Sequence, residues 1–229
     1  MKSILHKVTR ADVVAEPFPH VVVDDALPAD LYAALAETFP FPEVPEPENN
    51  TAYRTPAAHL LADPAVAPVW KEFAAYHTSA EFFAEAVSLF EPLSRFASAR
   101  TTVRYAGDAE VALDCQPCWG SPVTAPSTSD ACHLDREITL FGGLLYCKLA
   151  GDDAVGGDLE LYRFRGEKRD LDETRHADPA QVEPVKRIEY GANRLVFFLQ
   201  SPEALHGVTV RGVTRWPRLH VNFLAEVAA

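Results

Sequence analysis

The chain has 229 residues, of which 48% are hydrophobic and 24% are charged; this composition is typical of globular proteins and excludes the disordered, fibrous and disulfide-dense classes. One domain spanning residues 1–229 is expected, because a chain of this length can bury a single sizeable core. The 33 acidic residues outnumber the 21 basic ones and give a formal net charge of −12, which disfavours nucleic acid and anionic membrane surfaces as partners.

The first residues and the cysteines indicate a cytoplasmic protein. Residues 1–14 contain no apolar run of signal-peptide length, and no later segment approaches a membrane-spanning run. Cys115, Cys118, Cys132 and Cys147 are therefore expected to be reduced thiols. Because the pattern CQPCWG resembles a zinc knuckle, a structural zinc site formed by these four thiolates is the alternative.

Residues 1–99 are predicted to be mostly helical, after one short strand. The segment PHVVVDDALP at 19–28 predicts this strand, because its β-branched residues are followed by Asp24 and Asp25, which end the strand. A helix should follow, since Leu31, Leu35 and Phe39 recur at every fourth position.

A loop and a second helical region are expected next. Residues 41–56 combine Pro, Glu and Asn without an apolar period, which predicts a surface loop and a candidate lid. Residues 60–96 are predicted to be helical, with a capping box at Thr78 and Glu81. The apolar stripe that should pack this helix against a sheet consists of Phe82, Phe83, Ala86, Val87 and Phe90.

Residues 100–229 are predicted to be a β-sheet core. Short runs rich in Val, Leu, Phe and Tyr alternate there with Gly, Pro, Ser and Asp, and no helix-length connection separates them. We therefore expect a mainly β fold, a cupin-like jelly roll or double-stranded β-helix with the N-terminal helices packed on one sheet. The predicted strands are Thr101–Tyr105, Val111–Cys115, Thr139–Leu149, Gly157–Phe164, Val185–Tyr190, Arg194–Leu199, Gly207–Val210 and Arg218–Val227.

His133, Asp135 and His206 are the candidate metal ligands. His133 and Asp135 are two residues apart, so in an extended segment both side chains point to the same face. Two imidazoles and a carboxylate leave adjacent positions open on an octahedral metal, as in iron(II) oxygenases; catalytic zinc can use the same ligand types. The histidines without ligand-like spacing, for which surface or capping roles are expected, are His6, His20, His59, His77 and His176.

Six motifs follow one another along the chain. They are PHVVVDDALP at 19–28, HLD at 133–135, GGLLYCKL at 142–149, GGDLELYRF at 156–164, GANRLVFF at 191–198 and HGVTVRGVTRWPRLHVNF at 206–223. HxD by itself is a weak signal, but in this combination the sequence resembles the 2-oxoglutarate and iron(II)-dependent dioxygenases, and within them the prolyl-hydroxylase-like branch.

The resemblance implies a catalytic Fe(II) ion on His133, Asp135 and His206. It also implies 2-oxoglutarate and O2 as co-substrates, with ascorbate as a candidate auxiliary reductant. The implied reaction is hydroxylation of an unactivated C–H bond with release of succinate and CO2. Because fold and ligands do not fix the substrate, we expect only a small molecule or a peptide segment.

The resemblance further implies a basic residue on the last strand that binds the distal carboxylate of 2-oxoglutarate, since a guanidinium fork matches a carboxylate. Arg218 is favoured and Arg215 is the rival. His220 departs from the family, in which a serine is usual at that position. Tyr146 and Asn222 are weaker candidates for the same co-substrate.

Two other classes of protein remain open. One is a cupin-like metalloenzyme that uses zinc or manganese as an isomerase or hydrolase, and the other is a non-catalytic 2-oxoglutarate-binding sensor. The complete ligand set together with an available arginine favours the oxygenase.

Overall fold

Two antiparallel β-sheets form the framework of the molecule. The structure, a computed structural model, describes residues 1–90, 111–167, 171 and 175–227. The strands are β1 (His20–Val23), β2 (Ala52–Arg54), β3 (Val111–Gly120), β4 (Thr139–Cys147), β5 (Leu159–Phe164), β6 (Val182–Ile188), β7 (Ala192–Leu199), β8 (His206–Val208) and β9 (Arg218–Val227). The large sheet has the order β1-β7-β4-β9-β3-β2, and the small sheet has the order β6-β5-β8. Their antiparallel strands form the predicted double-stranded β-helix.

In the described part of the chain, four α-helices cover the outer face of the large sheet. They are α1 (Ala29–Glu37), α2 (Ala57–Ala62), α3 (Pro68–His77) and α4 (Ala80–Phe90). Phe73 of α3 and Phe82 of α4 both meet the ring of Phe223 on β9, with ring centroids 6.0 and 6.1 Å apart. Because these aromatic side chains interlock, the predicted packing of the helices on one sheet is confirmed. None of the helices described is long and apolar enough to cross a membrane.

Successive side chains of the large sheet point to opposite faces, so the sheet has one apolar core on each face. On β9, Leu219, Val221 and Phe223 belong to the core beneath the helices, whereas Arg218 and His220 point to the opposite face, toward the small sheet. A second apolar cluster lies between the two sheets and contains residues of both. The polar positions of β9 therefore face the interior of the β-helix.

The strand β3 is longer than the predicted Val111–Cys115. It runs on through Pro117 to Gly120. The carbonyl of Pro117 accepts a hydrogen bond from the Thr55 amide at 3.0 Å, so the missing N–H of this proline points to the same edge, where β2 has ended. Proline is tolerated there because its missing N–H does not face β9, so no bond between β3 and β9 is lost.

The other described strands overlap their predicted ranges and differ from them mainly at the ends. Thr101–Tyr105 and the end of the predicted helical region, 91–96, lie outside the described residues. The short strand β2 was not predicted, because its three residues occur within the polar segment 41–56. It pairs with β3, and the rings of Tyr53 and Trp119 lie 5.5 Å apart across this pair.

The capping box predicted at Thr78 and Glu81 is wrong by one position. The hydroxyl of Ser79 accepts a hydrogen bond from the amide of Phe82 at 3.3 Å. The hydroxyl of Thr78 instead donates to the carbonyl of Ala74 at 2.8 Å, at the end of α3. Because α3 and α4 follow one another so closely, Thr78 closes the first helix and Ser79 caps the second.

The cysteines are free and buried, as expected for reduced thiols. Cys115 belongs to the core beneath the helices, whereas Cys118, three residues further along β3, lies on the other face of the sheet. Burial raises the pKa of the Cys147 thiol to about 12. No cysteine joins a group of candidate metal ligands among the described residues, so the zinc alternative is not supported.

The surface roles expected for His20 and His77 are wrong, because both side chains are fully buried. His77 accepts a hydrogen bond from the Ile4 amide at 3.1 Å and donates to the carbonyl of Phe73 at 2.8 Å. Burial lowers the pKa of His77 to about 3. His20 donates to the carbonyl of Phe18 at 2.7 Å. Backbone groups therefore satisfy both nitrogens of His77, whereas Nε2 of His20 lies 2.9 Å from Nζ of Lys186.

We expect Phe82→Ala to lower the free energy of unfolding by about 3–5 kcal/mol, because it leaves a cavity among packed aromatic rings. Phe83→Ala is the matched control: its side chain is only half-buried, so the loss should be clearly smaller. Chemical denaturation of the two variants measures the difference. Equal losses would contradict the assignment of Phe82 to the centre of the helix–sheet interface.

Candidate metal site and adjoining cavity

Two backbone hydrogen bonds hold the HLD segment against His206, which is distant in the sequence. The amide of His133 donates to the carbonyl of His206 at 2.8 Å, and the amide of His206 donates to the carbonyl of His133 at 3.1 Å. The amide of Val208 adds a bond to the carbonyl of Asp130 at 2.8 Å. Residues 130–133 thus extend the small sheet beyond β8.

Gly207 is what allows this approach. A Cβ atom at this position would lie 2.8 Å from the amide nitrogen of Cys132 and 2.9 Å from the carbonyl carbon of Ala131. Backbone atoms cannot easily move aside, so a side chain would push the two segments apart. The glycine in the HGV motif therefore has a structural reason.

The side chains of His133, Asp135 and His206 converge on one point. Oδ1 of Asp135 lies 3.7 Å from Nε2 of His133 and 3.8 Å from Nε2 of His206. The three ligand atoms all lie within 4.8 Å of one another. Two neutral nitrogens and one carboxylate oxygen that share a centre can hold a divalent metal ion.

Backbone carbonyls orient both imidazoles toward this centre. Nδ1 of His133 lies 2.8 Å from the carbonyl of Ala131, and Nδ1 of His206 lies 2.9 Å from the carbonyl of Ala204. A carbonyl only accepts, so each Nδ1 must carry the proton. Each Nε2 therefore presents a lone pair to the shared point, which is the arrangement that a metal-binding histidine requires.

The pKa values of these three side chains reflect burial, which disfavours charge, and the attraction between the imidazoles and the carboxylate, which favours it. Burial lowers the pKa of His206, and the attraction of Asp135 only partly compensates. For His133, burial is outweighed by attraction to the carboxylates of Asp135 and Asp130 and by the Ala131 carbonyl, so its pKa is raised. Burial would raise the pKa of Asp135, but the two imidazoles lower it overall. The carboxylate is therefore held in the charged form that binds a cation.

Asp130 and His176 adjoin the site and were not predicted from the sequence. Oδ1 of Asp130 lies 3.2 Å from Nδ1 of His133 and 3.5 Å from Nε2 of His176. His176 also forms an isolated backbone bridge with His133. The surface role expected for His176 is therefore incomplete: its ring is exposed but lies beside a candidate ligand. No sequence spacing indicates the contact of His176, because it depends on how distant segments pair; Asp130 lies only three residues before His133.

The converging side chains open onto a cavity of about 90 Å³ between the two sheets. Gly142 forms part of its wall, and a Cβ atom there would lie 2.8 Å from the ring of Phe198 and 3.4 Å from Oδ2 of Asp135. The first glycine of the GGLLYCKL motif therefore keeps space for the carboxylate. Arg218, His220 and Asn222 of β9 line the same cavity.

Arg218 is a buried guanidinium with incomplete hydrogen bonding. Only 4% of the residue is exposed. Its Nε donates to the carbonyl of Gly157 at 2.8 Å, and Nη1 donates to Nδ1 of His220 at 3.3 Å. Nη2 is buried and has no partner in the described part of the chain. A buried cation is costly unless an anion compensates it, so this group fits a carboxylate.

His220 takes part in orienting Arg218, although a serine is usual at this position in the family that the sequence resembles. Burial, followed by the charges of Arg218 and Arg54, holds the pKa of His220 well below its ordinary value. A neutral Nδ1 can accept from the guanidinium. The departure from the family pattern thus preserves an acceptor beside the arginine.

Aromatic rings surround Arg218. Its guanidinium carbon lies 5.1 Å from the ring centroid of Tyr146 and 5.4 Å from that of Tyr190. The Tyr190 hydroxyl accepts a hydrogen bond from the Leu219 amide at 2.8 Å, but the buried Tyr146 hydroxyl has no partner among the residues described. Burial raises the pKa of Tyr146, which keeps the hydroxyl protonated as a donor. Two unused donors therefore lie together at the inner end of the site.

Gly157 and Arg211 complete this region, and sequence reasoning gave neither a role. Gly157 has φ of 84°, and a Cβ atom there would lie 3.3 Å from Cδ of Arg218. Arg211 is buried, but it donates to Oδ1 of Asn50 at 2.8 Å and to the carbonyl of Ser121 at 3.0 Å. The glycine pair of the GGDLELYRF motif was the available signal for Gly157. Arg211 is a structural residue.

The structure distinguishes Arg218 from its rival Arg215. Arg215 is exposed, its guanidinium lies 5.2 Å from the ring centroid of Trp216, and it does not line the cavity. Asn222 does line the cavity, as expected for a residue on the same face as Arg218. Only Arg218 of the two arginines thus shares the cavity with the converging histidines.

Similar folds occur among solved structures. A prolyl-4-hydroxylase from Pseudomonas putida is 17% identical with a TM-score of 0.52, and the match covers 92% of this chain and 93% of that one. The non-heme α-ketoglutarate-dependent epimerase SnoN from nogalamycin biosynthesis is 15% identical with a TM-score of 0.52, covering 91% and 78%. An oxidoreductase of the 2OG-Fe(II) oxygenase family from Burkholderia pseudomallei is 14% identical with a TM-score of 0.51, covering 90% and 84%.

No protein-family model and no curated protein matches the sequence. The structural matches show that the chain has the fold of the 2-oxoglutarate and iron(II)-dependent oxygenases. The resemblance inferred from the six motifs is thus confirmed for the fold.

We expect Tyr146→Phe to stabilise the ligand-free protein by about 1 kcal/mol, because it removes a buried hydroxyl without a partner. Thermal unfolding in the absence of metal and carboxylates measures this effect. Tyr190→Phe is the control: it removes the acceptor of the Leu219 amide and should destabilise. A loss of stability in Tyr146→Phe would mean that its hydroxyl already has a partner in the free protein.

Proposed function

We propose that the protein is an Fe(II)- and 2-oxoglutarate-dependent dioxygenase that hydroxylates an unactivated C–H bond and releases succinate and CO2. One observation carries the proposal: a single cavity contains three converging metal-ligand side chains and a buried arginine with an unused donor. The fold is consistent with this chemistry, but fold alone does not establish it.

His133, Asp135 and His206 would hold the metal ion. This donor set, with two imidazole nitrogens and one carboxylate oxygen, suits iron(II) with open positions for other ligands. The carbonyls of Ala131 and Ala204 fix the orientation of the two rings before the ion binds. Asp130 would strengthen His133 as a ligand through the negative charge of its carboxylate, 3.2 Å from Nδ1, because a nearby carboxylate raises the basicity of a ligating imidazole.

Arg218 and Tyr146 would bind the distal carboxylate of 2-oxoglutarate. The free Nη2 and the free Tyr146 hydroxyl are the donors that such a group needs. The guanidinium lies against the edge-to-face pair of rings formed by Tyr146 and Tyr190, which limits its motion. Gly157 and His220 accept hydrogen bonds from Nε and Nη1, which leaves Nη2 for a ligand. We assign Asn222 a supporting contact in the same cavity.

The bound iron and 2-oxoglutarate would supply the power to activate O2 and oxidise a C–H bond. The chain's own residues would position the substrate and exclude water from the reacting atoms. The apolar wall between the sheets, which includes Leu144, Leu159 and Phe198, serves the second purpose. Hydroxylation is the expected outcome, with a small molecule or a peptide segment as substrate.

The same geometry favours this proposal over the cupin-like rival, and turnover separates it from the sensor. A cupin-like isomerase or hydrolase needs the metal ligands but has no use for a buried, unpaired Arg218. A 2-oxoglutarate sensor would use both features without turnover. Buried free thiols fit a reducing compartment, so we also propose a cytoplasmic location; ascorbate would be an auxiliary reductant only.

The decisive measurement combines metal binding with turnover. We expect the protein to bind one Fe(II) ion anaerobically and to form succinate from 2-oxoglutarate when O2 and a substrate from a small-molecule or peptide panel are added. Asp135→Ala should lose both activities, because the carboxylate supplies the negative charge that the ion needs. Asp30→Ala, at an exposed position in α1, should change neither.

Alternative outcomes of this experiment have definite meanings. Zinc or manganese binding with turnover that ignores 2-oxoglutarate would establish the cupin-like rival. Binding of Fe(II) and 2-oxoglutarate without succinate across the whole panel would establish the sensor. Retention of metal binding by Asp135→Ala would refute the ligand assignment.

We expect Arg218→Met to weaken binding of 2-oxoglutarate to the manganese-loaded protein by about 10- to 100-fold, because a charge-assisted hydrogen bond is lost. Arg215→Met is the matched control and should bind normally, since its side chain lies outside the cavity. Isothermal titration of both variants measures the two affinities. If Arg215→Met causes the loss instead, Arg218 is not the anchor.

A further inference from the structure

Arg54 adds a second permanent positive charge to the wall of the cavity. It is the last residue of β2 and lines the same space as His133, Asp135 and His206. The register places it opposite Cys118 on β3, which in turn lies opposite His220 on β9. Since strands are separated by about 4.8 Å, the backbones of Arg54 and His220 lie about 10 Å apart. Arg54 is exposed, so it lies at the mouth of the cavity.

The charge of Arg54 has no protein partner in residues 1–90, 111–167, 171 and 175–227. No ion pair or hydrogen bond involves its guanidinium there. The acidic side chains on the cavity wall are already in use: Asp135 faces the two candidate histidines, and Asp130 faces His133 and His176. The charge nevertheless acts inside the cavity, because it contributes to the lowered pKa of the buried His220.

A network of hydrogen bonds holds the segment that carries Arg54. The side-chain amide of Asn49 donates to the carbonyl of Ala125 at 3.0 Å, and its Oδ1 accepts from the backbone amide of Thr124 at 2.7 Å. Asn50, with φ of 51°, donates to the carbonyl of Ser127 at 2.8 Å and accepts from buried Arg211.

Further contacts continue this network on both sides of Arg54. The Ser121 hydroxyl accepts from the amide of Thr51 at 2.9 Å. After the strand, Asp114 accepts from the amide of Ala57 at 2.8 Å. An ordinary surface arginine needs no such support. Residues 49–55 of the segment predicted as a candidate lid are instead fastened to the β-helix, so the backbone that carries Arg54 is held in place at the mouth of the cavity.

We propose that Arg54 determines substrate specificity by binding a carboxylate of the substrate while the substrate's C–H bond lies at the metal site. The inference rests on the proposed function, in which Arg218 is occupied by the co-substrate and Arg54 is left for the substrate. In a protein with a net charge of −12, an unpaired cation in a cleft selects anions from solution. A planar guanidinium binds a carboxylate through two parallel hydrogen bonds.

The test uses matched ligand pairs that differ only in this charge. Each of the standard L-amino acids and its carboxamide is titrated into full-length protein loaded with Zn(II) and 2-oxoglutarate, and binding is followed by thermal shift and calorimetry. We expect one or more acids to bind at least 10-fold more tightly than their amides. Arg54→Gln should remove this preference, and Arg54→Lys should retain part of it. Arg163→Gln, which removes an exposed arginine paired with Glu183, should preserve it.

Three results would overturn the inference. Acids and amides could bind equally, or the preference for acids could survive in Arg54→Gln. The third result is that Arg54→Gln binds every acid and every amide as the wild type does. A fourth would be loss of 2-oxoglutarate affinity in Arg54→Gln as large as in Arg218→Met, because Arg54 would then serve the co-substrate. Binding of 2-oxoglutarate to the wild type is measured separately. Its failure would refute the proposed function itself, whereas normal binding without an acid preference would refute only the role of Arg54.

Discussion

The site depends on one short stretch of backbone pairing, the two hydrogen bonds between His133 and His206. Side chains that lie far apart in sequence can act on one ion only if the main chain fixes their relative position. Here the pairing places the two imidazole rings with centroids 4.5 Å apart. Because the bond-forming atoms belong to the backbone, this part of the geometry does not depend on the identity of the side chains, apart from the requirement for glycine at 207.

The free-energy cost of burying the charge of Arg218 is the second constraint on the cavity. Arg218 is buried against two tyrosine rings, and its Nη2 has no partner among the described residues. The fold keeps this arrangement, although a buried group without a partner destabilises a protein by about 1–3 kcal/mol. Proteins retain such a destabilising group where a bound ligand supplies the missing partner. The unpartnered Tyr146 hydroxyl beside it points to the same ligand, so two separate deficits of the free protein are explained by one carboxylate.

The sequence predicts those features that arise from local pattern. The HxD spacing and the six motifs identified His133, Asp135, His206, Arg218 and Asn222, which the structure places on one cavity. Features that depend on distant pairing were missed. The contact of His176 with His133 requires two separate segments to meet, and the strand β2 is too short to have a period. The capping error at Thr78 arose because adjacent helix ends compete for neighbouring hydroxyl groups.

The two ends of the cavity are held by different kinds of contact. At the inner end, Arg218 and His220 belong to β9, which pairs with a strand on each side. At the mouth, Arg54 belongs to β2, and the preceding residues Asn49 and Asn50 bind the carbonyls of Ala125 and Ser127 through their side chains. Side chains on such attached segments can change without altering the strands that hold Arg218. Under the proposed roles, the group that would select the substrate therefore lies where a substitution disturbs the sheet least, whereas the group that would bind the co-substrate lies on a central strand.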